Sequence, residues 1–213
     1  YLKFLCKDKY CIDGANNVAA NNKLIQMDIA LKSGFKIPPT GVFSSKMEAY
    51  KFFERNSKEL ISKPVKYTTG DQISTSFTPF IVDEKDFEAM SENFDYFVLL
   101  QKLIRKVEEF RVTFVDGKMF TVGVRAKNAE LPLDTRLDFE GKEFYPAEIP
   151  NETEESLRKY MKFFDMKFGA MDLMKSTEGD LLFLEVNPNG QYLMVDEILG
   201  FEISKAIAKV LQK

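Results

Sequence analysis

An α+β architecture follows from three features of the 213-residue sequence. Two β-hairpins can be read directly, one around Asp116-Gly117 and one around Thr177–Asp180. Segments with helical apolar spacing lie before, between and after them, and helices placed among antiparallel hairpins are the mark of that class. A hydrophobic content of 45%, including 20 Phe, supports a sizeable core in one or two domains.

Taken in order, residues 1–16 read as the remnant of an upstream segment. The first residue is Tyr1, not Met, so the chain is expected to be a fragment or a trimmed product. A helix is expected from about Val18 to Lys32, with Leu24, Met27 and Leu31 as its apolar stripe, Ile25 and Ile29 widening it, and Gly34 as C-cap. Phe35–Val42, with Pro38-Pro39, is extended. Ser45 and Glu48 carry the capping-box spacing for a helix to about Arg55. Leu60–Val65 reads as a short strand holding Lys63, and Tyr67–Ser76, rich in Thr, Gly and Ser, as a mobile loop. Ile81-Val82 and Asp83–Asn93 give a strand and a short helix. Phe97–Ile104 is a buried strand whose exit, Gln101 to Glu109, turns polar.

Phe110–Val124 folds as a hairpin on a type I′ turn. Pairing about that turn sets Arg111 opposite Val122 and Glu108 opposite Arg125. Asn128–Pro150 is loop-like. Glu152–Phe164 is an amphipathic helix with Leu157, Tyr160, Met161 and Phe164 inward. A last helix runs from about Glu202 on Ile203, Ile207, Val210 and Leu211. No internal repeat or low-complexity segment interrupts the chain.

Composition removes whole classes of chemistry. There is no His, so His-based metal sites, His general bases and Ser-His-Asp triads are out. A net charge of −3 gives no electrostatic reason to expect nucleic acid. No apolar run approaches the ~20 residues of a membrane span, and no signal peptide is visible. Cys6 and Cys11 could form a disulfide, but they are too few for a secreted scaffold, and reduced thiols of a cytoplasmic protein are the favoured reading.

The chemistry concentrates in Phe168–Gln191, FGAMDLMKSTEGDLLFLEVNPNGQ. A hairpin symmetric about Glu178-Gly179 sets Asp172 directly opposite Glu185, and the period of two puts Asn187 on the same face. Met171, Leu173, Leu182, Leu184 and Val186 form the other face, which looks like core. Met174 and Phe183 flank the acids. Opposed carboxylates in a sheet have Cβ atoms ~5 Å apart and repel. A divalent cation removes that conflict, and two carboxylates with an amide suit Mg²⁺, which fills its shell with phosphate oxygens and water. A half-exposed hairpin with its acids in solvent is the alternative; the apolar flanks and the EVNPNG exit argue against it. In that exit turn Asn189 and Gly190 tolerate positive φ.

Other candidates are open on their residues alone. Lys63, beside Thr68-Thr69-Gly70, could pair with a phosphate or be one surface lysine among 30 basic residues. Lys23 could simply be solvated. Gln101–Ile104 could offer backbone groups to a planar ring flanked by Leu103 and Ile104, or be an ordinary strand end. Arg111 and Arg125 need partners among apolar neighbours; a phosphate or carboxylate would serve, and so would Glu108 or Glu109, the internal pair being favoured for Arg125.

Four stretches in this order, NNKLIQMDIALKSGFKIPPT, ISKPV, QKLIRKVEEFRVTFVDGKMF and MKFGAMDLMKSTEGDLLFLEVNPNGQ, resemble an ATP-grasp ligase over roughly residues 17–213. The NPNGQ run and the D-x-R at Asp134–Arg136 are similar to the ATP-grasp peptide maturases, or graspetide synthetases, related to the α-L-glutamate ligase branch. The resemblance implies an ATP-grasp fold of two α+β lobes with ATP between them, an N-terminal lobe at 17–100 and a C-terminal lobe at 101–213, and a pre-grasp domain largely absent. It implies ATP and Mg²⁺ as cofactors. Lys23 and Lys63 would contact phosphates, Gln101, Leu103 and Ile104 would line adenine, and Asp172, Glu185 and Asn187 would hold Mg²⁺. Arg111 would act at the phosphate end, with Asp134 and Arg136 towards the peptide acceptor. The implied partner is a ribosomal precursor peptide, leader and core, receiving side-chain ester or amide cross-links. Dimers are usual in the resembled group. The competing readings are an amino-acid ligase and a nucleotide-binding module without turnover.

Overall fold

A computed structural model describes residues 20–63, 80–126, 141–200 and 202–212. They form two compact units, Ile37–Ile104 and the remainder of the chain.

Ile37–Ile104 contains β1 (Thr40–Ser45), α2 (Lys46–Arg55), β2 (Leu60–Lys63), β3 (Phe80–Val82), α3 (Glu84–Ala89) and β4 (Asn93–Lys102). Its sheet runs β1-β4-β2-β3, all antiparallel. Ala49 and Phe53 of α2 and Phe87 of α3 pack on Leu60, Val82 and Leu100. Each fully buried Phe or Leu contributes roughly 1.5–3 kcal/mol of transfer free energy. The Ser45 side chain makes no cap hydrogen bond on α2, whereas Asp83 and Asp86 form a reciprocal capping box on α3. Phe97 is exposed, so only the far half of β4 is core strand.

The other unit contains α1 (Lys23–Ser33), β5 (Lys106–Val115), β6 (Lys118–Ala126), β7 (Lys142–Pro146), α4 (Asn151–Phe163), β8 (Phe168–Ser176), β9 (Leu181–Asn187), α5 (Leu193–Leu199) and α6 (Ile203–Leu211). Its sheet runs β7-β6-β5-β8-β9. Asp116 and Gly117 both take positive φ, and Arg111 lies opposite Val122, so the β5–β6 hairpin has its expected turn and register. One face of the sheet carries Val115, Val122 and Phe168 under Val195 of α5 and Ile203, Ala206 and Val210 of α6. On the other face Phe183 packs on Phe35 and on Tyr160 of α4, each with ring centroids 5.5 Å apart.

Three further sequence expectations are corrected here. The helix at 23–33 belongs with β9 and α4, not with a lobe ending near residue 100. Its buried face is Lys23, Gln26, Met27, Ile29, Ala30 and Ser33, while Leu24, Ile25 and Leu31 are exposed. Two polar side chains turn inward because both find partners on β9. The stretch Asn128–Pro150 is not all loop: β7 pairs with β6. Helix α5 has no counterpart in the sequence reading. The loop at Tyr67–Ser76, the Cys residues and Asp134–Arg136 lie outside the described residues.

Candidate metal and nucleotide site

Strands β8 and β9 place Asp172 directly opposite Glu185, and Asn187 opposite Ala170 two residues on, so all three share a face. The register then slips. Leu173 pairs with Phe183, which leaves Leu184 as one extra residue in β9. That bulge corrects the expected faces. Phe183 shares a face with Leu173 and is buried in the aromatic core, so it does not flank the acids; Leu184 is only half-buried. Met174 stays on the acid side and is buried.

The like-charge conflict is resolved by cations of the chain itself. Arg111, opposite Asp172 across β5–β8, donates from Nη1 to both carboxylate oxygens at 2.8 Å. Lys23 Nζ donates to Glu185 Oε2 at 3.0 Å. Lys23 is 8% exposed, so the solvated reading of this lysine is corrected. Burial pushes the Asp172 carboxyl up; Arg111 pulls it down and Glu185 pushes it up again, and the net direction is upward. The side chains of Asp172 and Glu185 keep 30% and 31% of their surface open, so an ion can reach them.

The chain then closes over this face. Asn187 Oδ1 accepts from Asn189 N–H at 3.1 Å, and its carbonyl accepts from Gly190 N–H at 3.1 Å. Neither Asn189 nor Gly190 takes a positive φ, so the turn does not draw on their tolerance of it. Gly190 is required by proximity: a Cβ there would meet the Ala170 Cβ at 2.3 Å and Arg111 Nη2 at 3.1 Å. Arg111 Nη2 also donates to the Gln191 carbonyl, at 3.4 Å.

Two carboxylates and one amide on a half-open face are hard-oxygen donors that fit Mg²⁺, which keeps water and phosphate oxygens in its shell. Among the described residues no group of three or more His, Cys, Asp or Glu forms a metal cage. Such a donor set suits an ion that arrives with a phosphate ligand.

In the Ile37–Ile104 unit, Lys63 ends β2 opposite Leu99 and is half-buried. Gln101 is buried on β4, with Nε2 donating to Thr40 Oγ1 at 2.8 Å. Leu103 and Ile104 follow β4, half-buried. The expectation of backbone N–H groups offered along this exit is corrected at two positions. Lys102 N–H donates to the Pro39 carbonyl and Leu103 N–H to the Glu59 carbonyl, each at 2.8 Å.

Arg125 has an internal partner, but it is Glu143 at 2.8 Å, reached because β7 exists; Glu108 instead meets Lys175 and the Tyr145 hydroxyl. Gln26, which carried no sequence signal of its own, donates to the Val186 carbonyl and accepts from the Val186 N–H, each at 2.9 Å. Its i, i+3 spacing from Lys23 on one helix face was the clue available.

Comparison with known proteins places the fold among ATP-grasp enzymes. The curated α-aminoadipate–LysW ligase LysX of Sulfurisphaera tokodaii is 22% identical over 209 residues, covering 94% of this chain and 70% of its own. The crystal structure of the macrocyclase MdnC of Microcystis aeruginosa MRC, bound with precursor peptide MdnA, superposes with a TM-score of 0.77 at 23% identity, covering 94% of this chain and 63% of MdnC. A Chryseobacterium gregarium RiPP-associated ATP-grasp ligase, in complex with ADP and a leader and core peptide, gives 0.78 at 24% identity over 99% of this chain and 66% of its own. The chain thus spans just under two thirds of the length of these solved enzymes. ATP-grasp ligases use ATP with Mg²⁺. The model of the RimK-like ATP-grasp domain matches residues 20–211, and the chain belongs to that family.

Proposed function

We propose that this chain is the nucleotide- and metal-holding part of an ATP-dependent carboxylate ligase acting on a peptide. One observation carries the reading: the shared face of Asp172, Glu185 and Asn187, with Arg111 and Lys23 already in contact with the two acids. Opposed acids beside two strong cations suit a magnesium-bound polyphosphate. When bound, Mg²⁺ supplies neutralisation of phosphoryl oxygens, the main contribution a protein site makes to phosphoryl transfer.

Arg111 and Lys23 would serve the phosphates in this reading. Each neutralises a carboxylate; with Mg²⁺ held by Asp172, Glu185 and Asn187, both cations would be available to phosphate oxygens. A phosphate role for Lys63 and an adenine-lining role for Gln101, Leu103 and Ile104 rest on the family resemblance. The substrate carboxylate attacks the γ-phosphorus, the bond to the bridging oxygen breaks, and ADP leaves. A hydroxyl or amine then attacks the acyl carbon, gives up its proton to a base, and phosphate departs. Asp134 as that base and Arg136 as its companion rest on resemblance alone. No covalent enzyme intermediate is needed, in keeping with a chain that has no His.

The substrate class in this reading is a ribosomal precursor peptide that receives ester or amide cross-links. It is supported by the peptides bound in the MdnC and Chryseobacterium structures. A second reading, transfer of a free amino acid, is favoured by the similarity to LysX. Phosphate release from Mg·ATP, measured with a Thr/Glu-rich peptide and separately with free amino acids, decides between them. Cross-linking removes one water per bond from the peptide mass, whereas amino-acid transfer increases the mass. Glu185→Gln keeps an acceptor for Lys23 and so the fold. Its turnover should fall by at least about 10–100-fold, the range for perturbing even an outer partner of a metal. Undiminished product formation by the Gln variant removes the metal assignment, and nucleotide binding without product in every arm leaves a non-catalytic module.

A further inference from the structure

We infer that Gln26 is a positioning residue for the metal-binding strand, an inference that rests on the metal reading above. Strand β9 is the edge of its five-stranded sheet, so one row of its backbone groups faces away from β8. An edge strand left in that state is the least constrained element of a sheet, yet it carries Glu185 and Asn187. Two contacts hold its outer edge. Phe183 N–H donates to the Lys36 carbonyl at 2.8 Å. At Val186, between the two candidate ligands, the Gln26 amide closes a two-bond ring: N–H to Oε1 and Nε2 to the carbonyl, both 2.9 Å. A primary amide has the donor and acceptor of a peptide group, so Gln26 acts as a one-residue neighbouring strand.

The bulge makes this possible. Phe183 and Val186 are three apart, and in a regular strand they could not both direct N–H groups to the same edge. The extra residue at Leu184 shifts the phase so that both face outward, while Glu185 stays opposite Asp172. Gln26 is itself fully committed: Nε2 also donates to the Ala20 carbonyl, and the residue is 4% exposed. One turn earlier on the same helix face, Lys23 reaches Glu185. Helix α1 therefore supplies both the ion-pair partner of one candidate ligand and the contact that holds the backbone of the segment bearing two of them. No chemical group on Gln26 needs to touch the ion for this to matter.

The test uses Gln26→Leu, Gln26→Glu and, as a control of the same helix core, Ile29→Ala. Mn²⁺ uptake in the presence of ADP is followed by EPR, and hydrogen exchange of the segment containing Val186 by mass spectrometry. Gln26→Leu and Gln26→Glu should each weaken Mn²⁺ binding by about 10–100-fold and speed exchange at Val186. The glutamate variant accepts from the Val186 N–H but no longer donates while ionised, so it reports on the lost donor in a chain that still folds. Ile29→Ala should lower thermal stability and leave Mn²⁺ affinity within twofold. Wild-type protein that takes up no Mn²⁺ with ADP overturns the metal reading itself. Wild-type uptake with unchanged affinity in both Gln26 variants overturns the positioning role alone, as does an Ile29→Ala affinity loss equal to theirs.

Discussion

Replacing Gly190 by Ala should lift the loop after β9 from the sheet. The new Cβ would stand 2.3 Å from the Ala170 Cβ, against an ordinary carbon contact of ~3.5–4.0 Å. Ala170 is fully buried in β8, between β5 and β9, and cannot yield. The Asn187 carbonyl and Arg111 Nη2, each 3.1 Å away, close the remaining space. Overpacking of this kind costs about 1–3 kcal/mol. At about 2–4 °C per kcal/mol for a chain of this length, Tm should fall by several degrees. Ala170→Gly removes the opposing methyl and alone costs about 0.5–1 kcal/mol through backbone entropy. The double variant exchanges the methyl from one side of the contact to the other, so it should be more stable than the sum of the single effects by at least about 1 kcal/mol. Urea denaturation of the four proteins measures the coupling. Additivity within about 0.5 kcal/mol, the ordinary result for residues that do not interact, refutes the close-approach argument.

Two further variants test other parts of the same unit. Tyr160 is fully buried, its hydroxyl has no hydrogen-bond partner among the described residues, and burial pushes its phenol pKa strongly up. Tyr160→Phe should therefore be neutral or stabilising by up to about 1 kcal/mol in urea denaturation; a loss larger than that would mean the hydroxyl holds a buried water. Asp196 of α5 caps α6 by accepting from the N–H groups of Ile203 at 2.9 Å and Ser204 at 3.1 Å. Burial pushes this carboxyl up, but the Ser204 hydroxyl, those two N–H groups and Lys205 outweigh it and hold it below its ordinary value of 3.8. A depressed carboxyl contributes stability above its unfolded value and loses it as pH falls through the folded one. Asp196→Ala should cost about 1 kcal/mol at pH 7, with the gap to wild type narrowing below pH 3.8; a gap independent of pH would remove the charged cap.

Local signals carried much of the fold. Asp116-Gly117 and the four residues after Ser176 define hairpins because turn geometry and period-two alternation act over a few residues. That was enough to bring Arg111 opposite Val122; Asp172 meets Glu185 because the bulge at Leu184 offsets a register that differs by one residue at the turn. The C-cap at Gly34, with φ of 104°, was equally local. Signals failed where a distant partner decided the outcome. Leu24 and Leu31 looked like the core of α1, but the helix turns Lys23 and Gln26 inward because β9 offers a carboxylate and, at Val186, backbone groups that β8 does not pair. The strand at 142–146 has too little pattern of its own and exists by pairing with β6.

The candidate site divides in the same way. Residue order was enough to bring Asp172 and Glu185 into one hairpin with Asn187 two positions on, but their common face also needs the bulge at Leu184: the pairing that starts at Lys175 and Leu181 would otherwise set Leu184 opposite Asp172 and turn Glu185 to the other face. Only the tertiary structure decided what stands against them. Arg111 comes from a neighbouring strand, Lys23 from a helix 162 positions away in the chain, and Gly190 from a loop folded back onto Ala170. Charge compensation and close packing are interactions through space, and nothing in residue order alone says which cation will reach which carboxylate.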